Sequence, residues 1–310
     1  MKLLLTSATV ALMLAAAACT PAENARRPEA SAASAPASAP VAAASEGVFA
    51  FKIGSLDAWA LKDGDISLPV GSADIPWKNP AVGAILTAAG QPSDAVHLSI
   101  QPLLVRDGDR LVLIDTGAAG GLGTAGTLQA SLKAAGVLAD QVMDVLISHA
   151  HEDHVGGLVT PAGVLAFPNA TVHIAAADWE QMKANPAVAA IVTAVTPKVQ
   201  PFAPGAVVAP NITSVALYGH TVGHTGYEIG SGSDRLLYFG DALHSSVLSV
   251  AHPEFTNAWD VDGAAGIATR QSLLERAATQ NLRLYGNHFP FPGVGHIEKA
   301  EQGYVWVPQT

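Results

Sequence analysis

Six consecutive residues, His149-Ala150-His151-Glu152-Asp153-His154, carry three imidazoles and two carboxylates, and Gly156 and Gly157 follow closely. Groups this polar are not buried without partners, yet the apolar run 145–147 leads directly into them. Imidazole and carboxylate together suit zinc and its first-row neighbours. The spacing offers His149 and His151 to one metal, while Asp153 and His154 turn toward a second. Glu152 is expected in solvent.

Other parts of the chain end in the same chemistry. A strand expected over 142–148 delivers His149, and one over 212–218 runs on to His220. Strands over 235–239 and 281–285 lead to Asp241 and His288. In open α/β sheets ligands gather beyond the carboxyl ends of strands, so four strand ends are expected to aim donors at one place. His244, His252 and His296 are expected to flank loops rather than bind metal. Trp179, Trp259, Phe289 and Phe291 are candidates for the walls of an apolar pocket.

The elements that must hold these residues alternate. Alternating apolar residues over 49–53 and 59–61, followed by "KDGD" (62–65), read as a hairpin signal, and a second hairpin runs 102–105, "RDGD", 110–115. Residues 127–136 show helical spacing, with Leu128 and Leu132 four apart and Gly136 as a stop. A further strand is expected at 171–175, and helices at 176–184, 186–193 and 264–279. No internal repeat is visible. The alternation indicates an α/β fold layered around sheet. One decoy is "GLGTAG" (121–126), a GxGxxG between a strand and a helix. "DTGAAG" separates it from that strand, and no lone ribose-binding acid ends the next one. It is therefore read as a mobile glycine-rich loop at the edge of the site rather than a dinucleotide site.

The H-x-H-x-D-H pattern resembles that of the metallo-β-lactamase superfamily, and further motifs follow in that superfamily's order. "LIDTG" (113–117) resembles the first, "GHTVGH" (219–224) the third, "YFGDAL" (238–243) the fourth, and His288 in "GNHFPFPGVGHI" the fifth. "GDALH", "HPEF" and "HFPFPGVGHIEKAEQGYVWVP" look most like the methyl parathion hydrolase and lactonase group. The resemblance implies an αββα sandwich with a dinuclear site at the sheet edge. It implies one metal on His149, His151 and His220, and a second on Asp153, His154 and His288, with Asp241 shared. Asp115 would order the site from behind and His224 would support it. Two divalent ions are implied, zinc first, with manganese, iron or cobalt also fitting. A water or hydroxide between them would be the nucleophile, with a pKa of about 7. Either Asp153 or an ordered water would deliver the last proton.

Composition narrows the substrate. The formal charge is −10, and Lys2, Arg26 and Arg27 balance Glu23, Glu29 and Glu46, so the deficit lies in the rest of the chain and nucleic acid is a poor partner. Cys19 is the single cysteine, which excludes an internal disulfide or a thiolate ligand in residues 47–310. Only 22 residues follow His288, against the long glutathione-binding extension of a hydroxyacylglutathione hydrolase. There is no room for the flavodoxin domain of a flavodiiron reductase. A small neutral ester or lactone is the expected substrate, with phosphotriesters secondary. The alternatives are a β-lactamase or thioester hydrolase of the same fold, or a non-catalytic periplasmic zinc-binding protein. A homodimer is compatible with the sequence.

Lys2 followed by the apolar stretch 3–18 has the shape of a secretory signal peptide. "AAAC" (16–19) resembles the lipobox of bacterial lipoproteins, with Ala16 where leucine is usual, so plain secretion after Ala18 remains an alternative. Residues 19–46, rich in Ala, Pro and Ser, read as a flexible tether, and 47–310 as the hydrolase domain. The protein is thus expected in the periplasm, joined to the membrane only through a lipid on Cys19.

Overall fold

A computed structural model describes residues 47–309. The export signal, Cys19 and the tether expected at 1–46 lie outside the described residues. Among the described residues no helix is long and apolar enough to cross a membrane.

The chain opens with strands β1 (Val48–Ile53), β2 (Leu56–Leu61) and β3 (Gly64–Pro69), helix α1 (Val82–Ala88), then β4 (Ala95–Ile100), β5 (Leu103–Asp107) and β6 (Arg110–Ile114). Helix α2 (Leu128–Ala134), β7 (Asp144–Ile147), the one-turn α3 (Glu152–Val155), β8 (Thr171–Ala175), α4 (Ala176–Ala184), α5 (Ala189–Val195) and β9 (Val199–Phe202) complete the first half. The second half comprises β10 (Val207–Ala209), β11 (Ile212–Ala216), β12 (Thr225–Ser231), β13 (Asp234–Tyr238), α6 (Leu248–Ala251), α7 (Gly263–Gln280), β14 (Arg283–Tyr285), β15 (Val294–Lys299) and β16 (Tyr304–Pro308).

Two seven-stranded sheets result, ordered β1-β2-β5-β6-β7-β8-β9 and β10-β11-β12-β13-β14-β15-β16, with β3 and β4 paired separately. In the first, antiparallel pairs from β1 to β6 lead into parallel strands that run from β6 to the edge at β9; in the second, antiparallel pairs flank one parallel step, β13 to β14. Strands of this kind are buried on both faces and read as apolar runs rather than alternations. Thus Leu146 of β7 joins Tyr227 and Tyr238 of the second sheet in a core between the sheets. Val145 and Ile147 join Leu132 of α2 and Met182 of α4 on the outer face. Leu273 and Leu274 of α7 pack with Leu237 and Leu284 on the far side of the second sheet. Helices therefore cover both outer faces, the expected αββα sandwich.

Of the two hairpin signals, "RDGD" closes β5 onto β6 in register. "KDGD" does not form a hairpin: β2 turns back on β1 at Gly54-Ser55, and β3 pairs with β4. The aspartate that looked like a turn former, Asp63, is buried and accepts N–H groups of Ala118, Gly126 and Leu128. It ties down the glycine-rich loop read as mobile. The strands missed in the sequence, β3, β4, β9, β10, β12, β15 and β16, include short ones and one interrupted by Pro201, where periodicity is weakest. Of the aromatic residues that could serve as pocket walls or as core, Trp179 and Phe289 are core. Leu138, by contrast, is an exposed leucine ahead of the short 3-10 turn at Ala139–Gln141.

Candidate metal centre

Asp115, His149, Asp241 and His288 all lie just past strand ends. β6 ends at Ile114 and Asp115 follows with φ +60°, while β7 ends at Ile147, two residues before His149. β13 ends at Tyr238 and turns through Gly240, whose φ is +51° and whose added Cβ would lie 2.7 Å from His224 Nε2. Only glycine fits both that backbone and that space. Gly157 is fixed for a similar reason, since a Cβ there would sit 2.0 Å from the Thr116 carbonyl. This close approach carries Asp153 and His154 on α3 up against the Asp115 segment, where Thr116 N and Oγ1 both donate to His154 O.

The seven residues singled out from the sequence come together. One group of donors is His149, His151, His220 and Asp241; the other is Asp153, His154, Asp241 and His288; within each group the donor atoms lie within 4.8 Å of one another. His149 Nε2 and His220 Nε2 face His151 Nδ1 at 3.0 and 2.9 Å. Asp241 Oδ2 lies 3.7 Å from His149 Nε2 and 3.5 Å from His220 Nε2. In the second group Asp241 Oδ1 is 3.2 Å from His154 Nε2, and Asp153 Oδ2 is 3.6 Å from His154 Nε2 and 3.3 Å from His288 Nε2. Ligands about 2.0–2.1 Å from a tetrahedral ion stand roughly 3.3 Å apart, so these separations fit a first-row metal in each group.

The opposite edges of the rings are set by acceptors. Asp115 Oδ2 lies 2.7 Å from His154 Nδ1, and the same carboxylate takes Ser148 N, Ser148 Oγ and the Tyr238 hydroxyl. His149 Nδ1 lies 3.0 Å from Ser148 Oγ, whose own proton goes to Asp115. The Ser99 carbonyl is 2.7 Å from His288 Nδ1, and Asp260 Oδ1 is 3.3 Å from His220 Nδ1. With Nδ1 donating, the Nε2 lone pair faces inward, the tautomer a metal needs.

Charge tells the same story. Burial opposes charging His288 and His154, yet Asp241 and Asp153 hold His288 up to about 10, and these acids with Asp115 hold His154 well above its ordinary value. Burial takes His220 down to about 4 and, with the His220 charge adding to it, His224 to about 3. Burial likewise pushes His149 well below its ordinary value. Asp153 and Asp241 are held below the usual carboxylate range by the histidines, against a desolvation that works the other way. Two carboxylates kept ionised in a buried pocket demand positive charge. His154 Nε2 and Asp241 Oδ1 are buried without a hydrogen-bond partner, which a bound cation would repair, so the residues present fit two divalent ions.

His224 behaves as expected of a supporting residue. Its Nδ1 lies 2.9 Å from the Leu217 carbonyl, and its Nε2 accepts the backbone N–H of Asp241 at 2.8 Å. His252, in the loop after α6, pairs with Glu254 at the surface, whereas His296 lies inside β15 rather than beside a loop and pairs with Glu298; Glu152 is exposed. His244 lies in the loop between β13 and α6, outside both groups of metal-type ligands, but that loop lines the site. The residue is fully buried, 3.2 Å from Asp241 Oδ2, with rings of Trp77 and Trp259 against it. The GDALH segment carried the signal, because three residues past Asp241 the chain has barely left the strand end.

Two more buried carboxylates escaped the sequence reading. Asp178, at the start of α4, accepts Thr221 Oγ1 and Gly223 N, each at 2.8 Å, and so steadies the turn after His220. Asp260 joins His220 to Arg270 Nη1, the latter at 2.8 Å. Each is an ordinary acid in sequence, and only the tertiary fold brings it to the histidine loops.

Residues 98–288 match the metallo-beta-lactamase superfamily family model. No curated relative matches the chain significantly. Among solved structures, the chain is similar to AidC, described as a dizinc quorum-quenching lactonase in complex with the product N-hexanoyl-L-homoserine. Identity is 29%, the TM-score 0.79, and the match covers 85% of this chain and 98% of that one. It is also similar to the hydrolase AbOPH of the beta lactamase superfamily, at 28% identity and TM-score 0.77, with 85% and 98% covered. A Staphylococcus aureus protein described as a probable metal-dependent hydrolase shares the fold at 18% identity and TM-score 0.69, covering 84% and 99%. With the family model spanning more than half of its length and the αββα layers in place, the chain belongs to the metallo-beta-lactamase superfamily.

Proposed function

We propose that this chain is a dinuclear metal-dependent hydrolase of neutral esters, with lactones preferred, aryl esters next and phosphotriesters as lesser substrates. The observation that carries it is the position of Asp241, which belongs to both groups of metal-type ligands: Oδ1 faces His154 Nε2 at 3.2 Å, and Oδ2 lies 3.7 Å from His149 Nε2, 3.5 Å from His220 Nε2 and 3.2 Å from His288 Nε2. His149, His151 and His220 would hold one ion, Asp153, His154 and His288 the other, and Asp241 both. Ions bound there would polarise the scissile carbonyl and bring a water's pKa to about 7. The chain's own residues do the rest. Asp115, Ser99 and Asp260 keep the ligand tautomers in place, and His224 holds the backbone of Asp241 so that its carboxylate stays between the two groups.

The preference for neutral esters rests on what surrounds the site. Arg270 reaches it only through Asp260, its guanidinium being occupied by that acid and by the Pro253 and Phe255 carbonyls. It is therefore not free to clamp the carboxylate of a β-lactam. Trp259, only partly buried and packed against His244, offers apolar surface beside the metal groups, suited to the uncharged part of a lactone. The similarity to a dizinc lactonase supports the same direction. The test is metal analysis of the purified protein, with turnover measured on lactones, aryl acetates, a phosphotriester, a penicillin, a cephalosporin and S-lactoylglutathione. We expect two metals per chain and fastest turnover on the lactones. Turnover confined to the β-lactams or the thioester overturns the assignment.

The same reading includes export, with acylation at Cys19 tethering the enzyme to the periplasmic membrane face. Fractionation should find the wild type with membranes and Cys19→Ala in the soluble periplasmic fraction; a wholly soluble wild type ends the lipid anchor.

A further inference from the structure

His244 is wired in the opposite sense to the histidines around it. Asn257 Oδ1 accepts the backbone N–H of Trp259 at 2.9 Å, which turns the amide so that Nδ2 faces His244 Nδ1 at 3.1 Å. An amide nitrogen can only donate, so Nδ1 accepts and the ring proton sits on Nε2. Behind His154, His220 and His288 stand acceptors; behind His244 stands a donor. Its inward nitrogen therefore carries a hydrogen instead of a lone pair. It is a hydrogen-bond donor and not a metal ligand.

That donor has nothing to bond. Nε2 is buried and, although 3.2 Å from Asp241 Oδ2, is not aligned with it and makes no hydrogen bond. A buried donor left unpaired is costly, and such a cost persists where a ligand repairs it. The ring lies between the two proposed metal groups, 4.8 Å from the His220 ring and stacked at 5.7 Å on that of His288. Its backbone is pinned as well, with His244 N and Ser245 N both donating to Ser249 Oγ.

We propose that His244 is a catalytic residue whose Nε2–H bonds to the substrate oxygen on which negative charge grows during attack on the carbonyl. Asn257 is the positioning residue that sets its tautomer. The inference rests on the hydrolase reading of the site for its substrate, but not for its test. No proton needs to move: the N–H stabilises the developing oxyanion and releases it when the leaving oxygen departs, as donors in a preorganised site do.

The test compares wild type with His244→Gln, which keeps a donor near the Nε2 position, His244→Phe, which removes it, and Asn257→Asp, which offers an acceptor to Nδ1 and so turns the ring's lone pair inward. Three quantities are read: metals per chain, the Kd of inorganic phosphate as a tetrahedral oxyanion probe, and kcat and KM on the best ester of the panel. In the metal-free wild type, ¹⁵N shifts should show the proton on Nε2. With two metals retained throughout, His244→Phe and Asn257→Asp should weaken phosphate by about 10- to 100-fold and lower kcat by roughly 100- to 1000-fold with little change in KM. His244→Gln should recover part of both. Loss of a metal in His244→Phe, or phosphate binding and kcat equal to wild type, overturns the proposal. If wild type hydrolyses nothing in the panel, the proposed function fails, and the phosphate comparison still decides the role of His244.

Discussion

One strand carries two kinds of buried charge. β7 begins at Asp144 and ends just before the histidine cluster. Asp144 is 1% exposed, and every demand it makes is met: Arg110 donates twice, at 2.6 and 2.8 Å, and His173 Nε2 lies 2.9 Å away. These partners come from the neighbouring strands β6 and β8, so the cluster stitches three strands at their amino ends. Asp241, beyond the other end, is 3% exposed and surrounded by five imidazoles at 3.2–3.7 Å, yet its Oδ1 has no hydrogen bond. A buried ionised group that is fully paired is structural, whereas one held ionised with orphaned atoms around it is built to receive something. Burial and charge alone do not separate the two; completeness of pairing does.

The sharpest way to break this comparison is to remove the unpaired charge. Asp241→Asn should lose at least one metal, and activity should fall by about 1000-fold, the equivalent of several kcal/mol of transition-state stabilisation. Elemental analysis beside kinetics checks it. Full metal content with normal turnover would show that the shared carboxylate is not the centre of the site.

His224 gives the next largest effect. It touches Asp241 only through the backbone N–H, so His224→Ala should cost roughly 10- to 100-fold in metal affinity or activity while much of the metal stays. A competition titration with a chelator measures this directly.

The third effect is read by pH. In the metal-free protein His288 is lifted from 6.5 to about 10, so its stabilising contribution is complete below pH 6.5 and is lost as pH rises through about 10. Metal must displace that proton, so affinity should fall with acidity and binding should release protons. Between pH 6.5 and 10 the metal-free protein therefore loses a contribution that the loaded one does not need. The gap in Tm between them should widen over that window, and a constant gap would contradict the charge balance described for the site.

Asp144→Ala sharpens the other half of the comparison. It should destabilise the fold by about 1–3 kcal/mol, because a buried charge-assisted network is broken, yet leave metals per chain unchanged. The folded-state shift is downward, burial opposing it and His173 and Arg110 prevailing. The contribution is thus present above the ordinary carboxylate range and lost as pH falls through the lowered value. Denaturant unfolding at pH 7 and near pH 3 should show the variant's deficit shrinking in acid.

What could be read in the sequence divides along the same line. The seven proposed ligands were visible because chemistry crowded them into short motifs at strand ends, and β8 and α4 because their patterns are regular. Asp63, Asp178 and Asp260 were not, since each meets the site through a partner 40 or more positions away, Ala118, Gly223 and His220 respectively. His244 was visible as a residue but not in its role, because that role depends on an amide 13 positions on and on two tryptophans from separate loops. The "KDGD" turn misled for a related reason: a local pattern suited to a hairpin was taken up by a tertiary demand for a buried carboxylate.

The smallest expected effect lies inside the motif itself. Glu152 stands between His151 and Asp153, and by composition alone it is as good a ligand as its neighbour. α3 separates them: Asp153 turns toward His288 Nε2 at 3.3 Å, while Glu152 faces solvent. An exposed carboxylate in the first turn of a four-residue helix has only a weak interaction with the helix end, screened by salt. Glu152→Gln should therefore change stability by less than about 0.5 kcal/mol and leave metal content, kcat and KM at wild-type values. Asp153→Asn, one residue on, should lose metal from the second group. Metal analysis of the pair is the narrowest form of the comparison, two adjacent acids of which only the buried one has a ligand to hold. Equal losses in both variants would mean that the negative charge of the motif, and not the aim of Asp153, gathers the ions.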